Sequence, residues 1–243
     1  MRGRCSPRLS FAIAVALLLL LAFALLLASE TRLVAATPYD YAWMDDFGSS
    51  SLHPLWSWVR EDATNWSLTD RPGFMRITTQ TGGVFGPGGD QKNLLLTEAP
   101  SGDFRITTKV TITPTENFRF AALQVYQDDD NYIQINRAYA NGDTLNFDLE
   151  VGGVVTSTQI VESATTLYLR VVKEGNNYSG YYSTNGTDWT EVGQHAAALA
   201  SPKVGIGAAN NLSGVSEVPA DFDFFEVAAN YQKVFLPVVL KNY

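Results

Sequence analysis

Cysteine and histidine are almost missing from this sequence. The only cysteine is Cys5, and the only histidines are His53 and His195. Structural zinc sites take four cysteine or histidine ligands, and a Ser-His-Asp triad needs a histidine. The composition therefore argues against structural zinc and a thiol nucleophile, and it supplies little imidazole for a triad. The chain that follows residue 36 is nevertheless long enough to bury a core without disulfides.

Basic residues are the minority in this chain. Lysine and arginine number 17 against 25 aspartate and glutamate, which gives a formal net charge of −8. Four of the arginines lie within the first 36 residues, so the remainder is more acidic still: Arg2, Arg4, Arg8 and Arg32. An acidic surface repels nucleic acid and anionic lipid. We expect no nucleic-acid partner and favour a neutral glycan as the ligand.

The N-terminal segment has the pattern of an export signal. Arginines precede an unbroken apolar run over residues 11–28, and small residues follow at 34–36. That order is typical of a secretory signal peptide, which predicts a signal at residues 1–36 and a mature chain from Thr37. Eighteen apolar residues also suffice to span a bilayer, so an uncleaved N-terminal anchor is the alternative and the one expected membrane contact. Both readings predict a secreted or cell-surface protein.

Apolar and polar residues alternate along most of the chain beyond the signal, which is the pattern of half-buried strands. Clear examples lie at residues 104–112, 145–151 and 167–171. Glycine-containing pairs between the runs supply the positive φ that hairpin turns require. About a dozen strands without intervening helices predict an all-β, two-sheet antiparallel sandwich as one domain over residues 37–229.

Several segments of the sequence, spread over most of the mature chain, carry a family resemblance. They are 52–60 (LHPLWSWVR), 66–77 (WSLTDRPGFMRI), 122–126 (ALQVY), 167–171 (LYLRV), 181–189 (YYSTNGTDW) and 221–225 (DFDFF). Together they resemble the C-terminal concanavalin A-like domain of family 43 β-xylosidases. The resemblance implies a jelly-roll sandwich associated with carbohydrate. Such domains accompany sugar enzymes and are rarely catalytic themselves, so the resemblance favours binding.

Polar and aromatic side chains share the non-core face of the central hairpin, residues 118–138, and of nearby strands. Amides and carboxylates bind sugar hydroxyls, and aromatic rings stack on the apolar faces of pyranose rings. The predicted carbohydrate-binding residues are Tyr126, Tyr132, Gln134, Asn136, Asp148 and Arg170. The alternative is an ordinary solvated sheet face, where polar residues are expected.

Two carboxylates keep a hydrolase open as an alternative function. Asp148 and Glu150 stand two apart on one predicted strand, so they share a face at a separation of roughly 6–7 Å. Retaining glycosidases place their carboxyls about 5–5.5 Å apart, so the spacing permits a glycoside hydrolase acting on a plant-type polysaccharide. The Glu-x-Asp-x-x-Glu arrangement, which resembles laminarinase-type active strands, does not occur in the sequence. We therefore predict a non-catalytic domain and name no catalytic residue.

Acidic residues at the two ends of the domain suggest a metal site. Asp46 opens the domain, and Asp221 and Asp223 lie on its last predicted strand. First and last strands of jelly rolls often pair, and carboxylate oxygens suit calcium. The sequence predicts structural calcium at these residues, with ordinary acidic strand ends as the alternative.

Two remaining segments have distinct compositions. Residues 82–89 are rich in glycine but lack the Lys-Ser/Thr of a phosphate-binding loop, so they predict a long connection. Residues 230–243 form a short apolar tail, too short to span a bilayer. The tail motivates a third function, that of a structural or interaction protein of the cell surface.

Overall fold

The computed structural model describes residues 40–229, and these fold as strands and loops. Sixteen strands, numbered β1–β16 in chain order, form two sheets of eight. The predictions for the signal peptide, residues 1–36, and for the tail, residues 230–243, lie outside the described residues. Within the described range, no helix has the length and apolar character needed to cross a membrane.

Sheet A contains both ends of the described chain. Its strands are β1 (Asp40–Asp45), β3 (Trp66–Ser67), β4 (Met75–Thr78), β7 (Phe104–Thr111), β12 (Thr166–Glu174), β13 (Asn177–Ser183), β14 (Thr190–Ala196) and β16 (Pro219–Ala229). They run in the order β14-β13-β12-β7-β16-β4-β3, and β1 also pairs with β16. All of these pairings are antiparallel.

Sheet B carries the central hairpin. Its strands are β2 (Ser57–Val59), β5 (Gln80–Thr81), β6 (Leu94–Glu98), β8 (Arg119–Asp128), β9 (Asn131–Tyr139), β10 (Asp143–Val151), β11 (Val154–Val161) and β15 (Lys203–Asn210). The order is β11-β10-β9-β8-β15-β6-β2, and the short β5 pairs in parallel with β15. The predicted antiparallel sandwich is confirmed. The strands beyond the predicted dozen include β2, β3 and β5, which are too short for alternation to reveal.

The alternating apolar residues meet between the two sheets. Leu123, Ile133, Ile135 and Phe147 from sheet B and Leu169 from sheet A are all fully buried in one core cluster. Removing apolar surface from water contributes about 25 cal/mol for each Å² buried, which makes this layer the main source of stability. The core therefore fixes which side of β8, β9 and β10 faces away from the sandwich interior.

Candidate functional site

The outer face of sheet B places polar side chains from three strands side by side. In the strand register Asp148 lies opposite Gln134, which lies opposite Gln124, and Asn146 lies opposite Asn136. Cross-strand neighbours on one face have Cβ atoms about 4.5–5.5 Å apart, so these side chains form one contiguous patch. The predicted division of the hairpin into a core face and a polar face is thus correct.

Asp148 lies at the centre of the patch and is 2% exposed. Its Oδ2 accepts hydrogen bonds from Gln134 Nε2 at 3.0 Å and Asn136 Nδ2 at 2.8 Å. Its Oδ1 accepts a third from Ser157 Oγ at 2.6 Å. Burial raises the pKa of Asp148, and these three donors act in the opposite direction. Both carboxylate oxygens are therefore occupied by protein donors.

Further amides extend the network away from Asp148. Gln124 Nε2 donates to Gln134 Oε1 at 3.1 Å on one side. On the other, Asn146 Nδ2 donates to Asn136 Oδ1 at 3.0 Å, and Gln159 Nε2 donates to Asn146 Oδ1 at 3.0 Å. The network therefore runs without a break across four strands of sheet B.

A cavity of about 590 Å³ lies over this network. Its polar lining includes Gln134, Asn136, Asn146, Asp148, Ser157 and Gln159. Its apolar and aromatic lining includes Phe85, Phe118, Phe120, Ala138, Tyr139 and Leu212. Planar hydrogen-bonding groups next to aromatic rings are the combination that binds a sugar ring. The cavity joins three predicted site residues: Gln134, Asn136 and Asp148.

Two predicted carbohydrate-binding residues, Tyr126 and Tyr132, are covered by another segment of the chain. Tyr132 is fully buried and Tyr126 is 8% exposed, and both pack in a cluster with Val84, Leu94 and Leu96. Burial raises the pKa of both phenols. The prediction that they offer ring faces to a ligand is wrong, because the segment that includes Val84 crosses over that end of the sheet.

The covering segment is the glycine-rich segment, residues 82–89, which is a loop as predicted. Gly86 N donates to Glu150 Oε2 at 2.9 Å, and Gly88 N donates to Asp130 Oδ1 at 3.1 Å. Positive φ angles of 84° and 82° at these two glycines favour residues without a Cβ. The loop therefore closes over one end of sheet B, while its Phe85 side chain, 54% exposed, lines the cavity.

Asp148 and Glu150 lie on the same face of β10, as their spacing predicts. Glu150 is nevertheless fully buried under the glycine-rich loop and is not part of the cavity lining. Burial raises the pKa of Glu150. The two carboxyls therefore have unequal access to the cavity, which is unlike a pair that flanks one glycosidic bond.

Arg170 is the one predicted carbohydrate-binding residue that lies in sheet A and not in sheet B. It belongs to β12 in sheet A, and its guanidinium carbon lies 3.6 Å from the centre of the Trp189 ring. Its assignment to the polar face of the hairpin is wrong. Alternation shows which residues of a strand share a side, but it does not show to which sheet the strand belongs.

Sequence reasoning missed two polar residues of the cavity, Ser157 and Gln159 on β11. They lie opposite Asp148 and Asn146 in the register. A signal for them was present, because the Gly152-Gly153 turn between β10 and β11 fixes that register. A tight turn at two glycines makes Val151 pair with Val154, and every later pair follows.

The predicted calcium ligands do not come together as a ligand set. β1 and β16 do pair, with Asp45 opposite Phe225, as expected for the first and last strands. Asp46 accepts a hydrogen bond from Gly48 N, whereas Asp223 accepts one from Lys109 Nζ at 2.7 Å. Among residues 40–229, no group of three or more acidic, histidine or cysteine side chains is placed to hold a metal ion. The calcium prediction thus loses the carboxylate cluster on which it depended.

Asp221 forms ion pairs with Arg71 and Arg76, and from these pairs we predict that the stability of the fold depends on pH. Burial opposes its ionisation, but hydrogen bonds from Arg76 and Arg71 outweigh burial and hold the pKa of Asp221 below its ordinary value. A lowered native pKa contributes stability that is complete above the unfolded pKa, roughly 3.9, and is lost as pH falls through the native pKa. Asp221→Asn should therefore cost about 1–3 kcal/mol of unfolding free energy near neutral pH and much less in acid.

Urea denaturation over a pH series tests this. The difference between wild type and Asp221→Asn should shrink as pH falls, whereas parallel curves would contradict the assignment. Asp223→Asn is the matched control on the same strand, because its ion pair with Lys109 is about one-third exposed on both sides, at 34% and 30%. Exposed pairs contribute little, so this variant should stay close to wild type at every pH.

Comparison with known proteins agrees with this architecture. The family described as the beta xylosidase C-terminal concanavalin A-like domain matches residues 44–228. The GH43 BlXynB protein from Bacillus licheniformis is similar at 25% identity and a TM-score of 0.73, over 79% of this chain and 40% of that one. A xylan beta-1,4-xylosidase from Bacillus halodurans is similar in fold at 21% identity and a TM-score of 0.66, over 78% of this chain and 39% of that one.

The chain thus spans about two fifths of the length of these two proteins. A beta-glucanase from Bacillus licheniformis shares the fold alone, at 13% identity and a TM-score of 0.56, over 79% of this chain and 99% of that one. Comparison with curated proteins gives no match. Because the family match covers nearly all of the described sandwich, this chain belongs to the family of β-xylosidase C-terminal concanavalin A-like domains.

Proposed function

We propose that this protein is a secreted, non-catalytic carbohydrate-binding domain that holds a neutral glycan in the cavity over sheet B. One observation carries the proposal. The cavity of about 590 Å³ has a floor of linked amides around a buried carboxylate, and aromatic side chains stand beside that floor. This arrangement offers hydrogen bonds for ring hydroxyls and apolar surface for the ring itself.

The charge of the site favours a neutral ligand. Asp148 lies in the floor, and the whole chain has a net charge of −8, so an anionic sugar meets repulsion at the site and from the protein. The similar proteins of known structure include a xylan beta-1,4-xylosidase. Xylo-oligosaccharides are therefore the first ligands to test.

Two features support binding over hydrolysis of the glycan. Glu150 lies under the glycine-rich loop, and both oxygens of Asp148 already accept hydrogen bonds from the protein. Glycosidases need two carboxyls that flank the bond to be cleaved. Release of reducing ends from the same oligosaccharides is the measurement that separates a hydrolase from a binding domain.

The proposed location is outside the cell or at its surface. The arginines and the apolar run in residues 1–36 support export, with an uncleaved segment serving as an anchor in the alternative case. A role for residues 230–243 in surface attachment remains a prediction. Deleting them and following the location of the protein tests it.

Calorimetric titration with xylotriose, cellotriose and arabinotriose tests the binding proposal. Asn136→Ala removes an amide from the floor and Phe120→Ala removes an aromatic ring from the lining, so each should weaken binding about tenfold or more. Arg170→Ala is the control, because Arg170 belongs to sheet A, and it should bind like wild type. Absence of binding to every neutral glycan, or an equal loss in the Arg170 variant, would contradict the proposal.

A further inference from the structure

The side-chain amides of the cavity floor form a chain of hydrogen bonds in which each amide donates toward Asp148. Starting from β11, Gln159 donates to Asn146, Asn146 donates to Asn136, and Asn136 donates to Asp148. In each step the nitrogen of one side chain meets the oxygen of the next, and the sequence of donors ends at the carboxylate. This branch links β11, β10 and β9 across the cavity.

A second branch reaches the same carboxylate from the other side. Gln124 on β8 donates to Gln134 on β9, and Gln134 donates to Asp148. The hydroxyl of Ser157 donates directly to Oδ1, the other oxygen of Asp148. Gln124, Gln134 and Asp148 are each at most 2% exposed, so bulk water does not compete for these positions.

Amide chains have no preferred direction of their own. A primary amide carries an acceptor oxygen and a donor nitrogen of nearly the same size, so a row of them is consistent in either orientation. An ionised carboxylate, in contrast, only accepts. Its neighbours must turn their N–H groups toward it, which leaves their oxygens to accept from the next amides. Asp148 is the one carboxylate in the two branches, and it therefore selects their direction.

We propose that Asp148 is the positioning residue of this cavity, whose carboxylate sets the orientation of the five linked amides, four of which line the cavity, and so fixes where a bound sugar meets a donor or an acceptor. The step from amide orientation to sugar recognition rests on the proposed function. The orientation itself does not. Gln134, Asn136 and Asn146, which line the cavity, each retain a second N–H bond for a ligand oxygen. The carbonyl of Gln159 stands at the outer end of its branch.

The ionisable groups around Asp148 define how the arrangement responds to pH. β10 contributes Glu150, β9 contributes Tyr132, β14 contributes His195, and β11 contributes the uncharged Ser157. Burial raises the pKa of Asp148, while its hydrogen-bond donors and His195 oppose that shift. Protonation removes the negative charge toward which both branches donate, and a proton on Oδ2, which accepts from both, turns that acceptor into a donor. The change is expected as pH falls through the pKa of Asp148.

Side-chain amide resonances in an ¹⁵N-labelled full chain test the orientation without any ligand. The NH₂ signals of Gln159 and Asn146, which do not touch Asp148, should titrate with the same midpoint as those of Gln134 and Asn136. In Asp148→Asn that shared titration should vanish. The amide of Asn117, which bonds to Asn141 outside the cavity, is the internal control and should not follow the midpoint. Titration confined to Gln134 and Asn136 would overturn the proposal.

Ser157→Ala provides a second variant that leaves every amide in place. Removing one donor to the ionised carboxylate should raise the shared midpoint while all four amides continue to titrate together. An unchanged midpoint would mean that the group behind the shared titration is not Asp148, whose Oδ1 accepts from this hydroxyl. This outcome would overturn the proposal even if Asp148→Asn failed to fold.

Xylotriose affinity gives the functional readout. Wild-type affinity should fall about tenfold as pH falls through the midpoint of the amide titration. Asp148→Asn should bind xylotriose weakly at every pH. If wild type binds no glycan while the amides titrate together, the proposed function fails and the positioning role stands. If wild type binds and Asp148→Asn matches its affinity and pH profile, the positioning role fails.

Discussion

Replacing Phe147 by alanine should lower the free energy of unfolding by about 3–5 kcal/mol, the usual cost of emptying a buried phenylalanine site. Phe147 is fully buried, and its neighbours along β10 are the site residues Asn146 and Asp148, whose side chains point to the opposite face. The His195 ring stacks on it at a centroid distance of 5.0 Å. Urea denaturation measures the loss. Phe118→Ala, at a side chain 42% exposed, is the matched control and should cost far less.

The contact between Phe147 and Gly180 allows a sharper test of the same packing. A Cβ atom on Gly180 would lie 2.5 Å from Cδ2 of the Phe147 ring, so Gly180→Ala alone should cost about 1–3 kcal/mol. Phe147→Leu frees part of that space. The double variant should therefore lose less stability than the two single losses added together. Simple additivity would show that the two sheets do not meet at this contact.

Replacing Arg119 by methionine should cost about 2–3 kcal/mol, because it leaves the buried side-chain oxygen of Asn210 without its donor and removes the bonds to Glu116 and Ser216. The Arg119 side chain is 0% exposed and donates to Asn210 Oδ1 at 3.2 Å, to Glu116 Oε2 at 3.1 Å and to the Ser216 carbonyl. These bonds join the segment before β8 to the segment before β16.

Denaturation of the Arg119 variant has a clear control. Lys203→Met removes an ion pair in which the lysine is 39% exposed and Glu98 is 79% exposed, so it should change the unfolding free energy by about 0–1 kcal/mol. Hydrogen exchange of residues 211–216 should rise in the Arg119 variant alone. A loss no larger than that of Lys203→Met would contradict the structural role of the buried guanidinium.

The sandwich and its faces were predictable because the information is local. Alternation along β8 and β9 separates Leu123 and Ile135 from Gln134 and Asn136, and the structure keeps that division. Side chains along a strand alternate between the two faces of the sheet, so one residue known to be in the core fixes the face of every other residue in that strand. The same alternation, continued through the Gly152-Gly153 turn, places Ser157 opposite Asp148.

The cover over the polar face was not predictable in this way. Tyr132 and Glu150 follow the outward period, yet the glycine-rich loop buries them from a position about 50 residues or more away in the chain. Sheet membership has the same difficulty, since nothing local to Arg170 distinguishes β12 from a strand of sheet B. Asp221 pairs with Arg76 across 145 residues, and no short-range pattern reports such a contact.

Ligand mapping tests whether the amide-lined cavity of sheet B is the glycan site. Xylotriose should be titrated into the ¹⁵N-labelled full chain while backbone and side-chain amide shifts are followed. The largest changes should occur at the side-chain amides of Gln134, Asn136 and Asn146 and at the backbone of Phe120. Changes centred on Trp189 in sheet A, or no changes with any neutral glycan, would show that this cavity is not the glycan site.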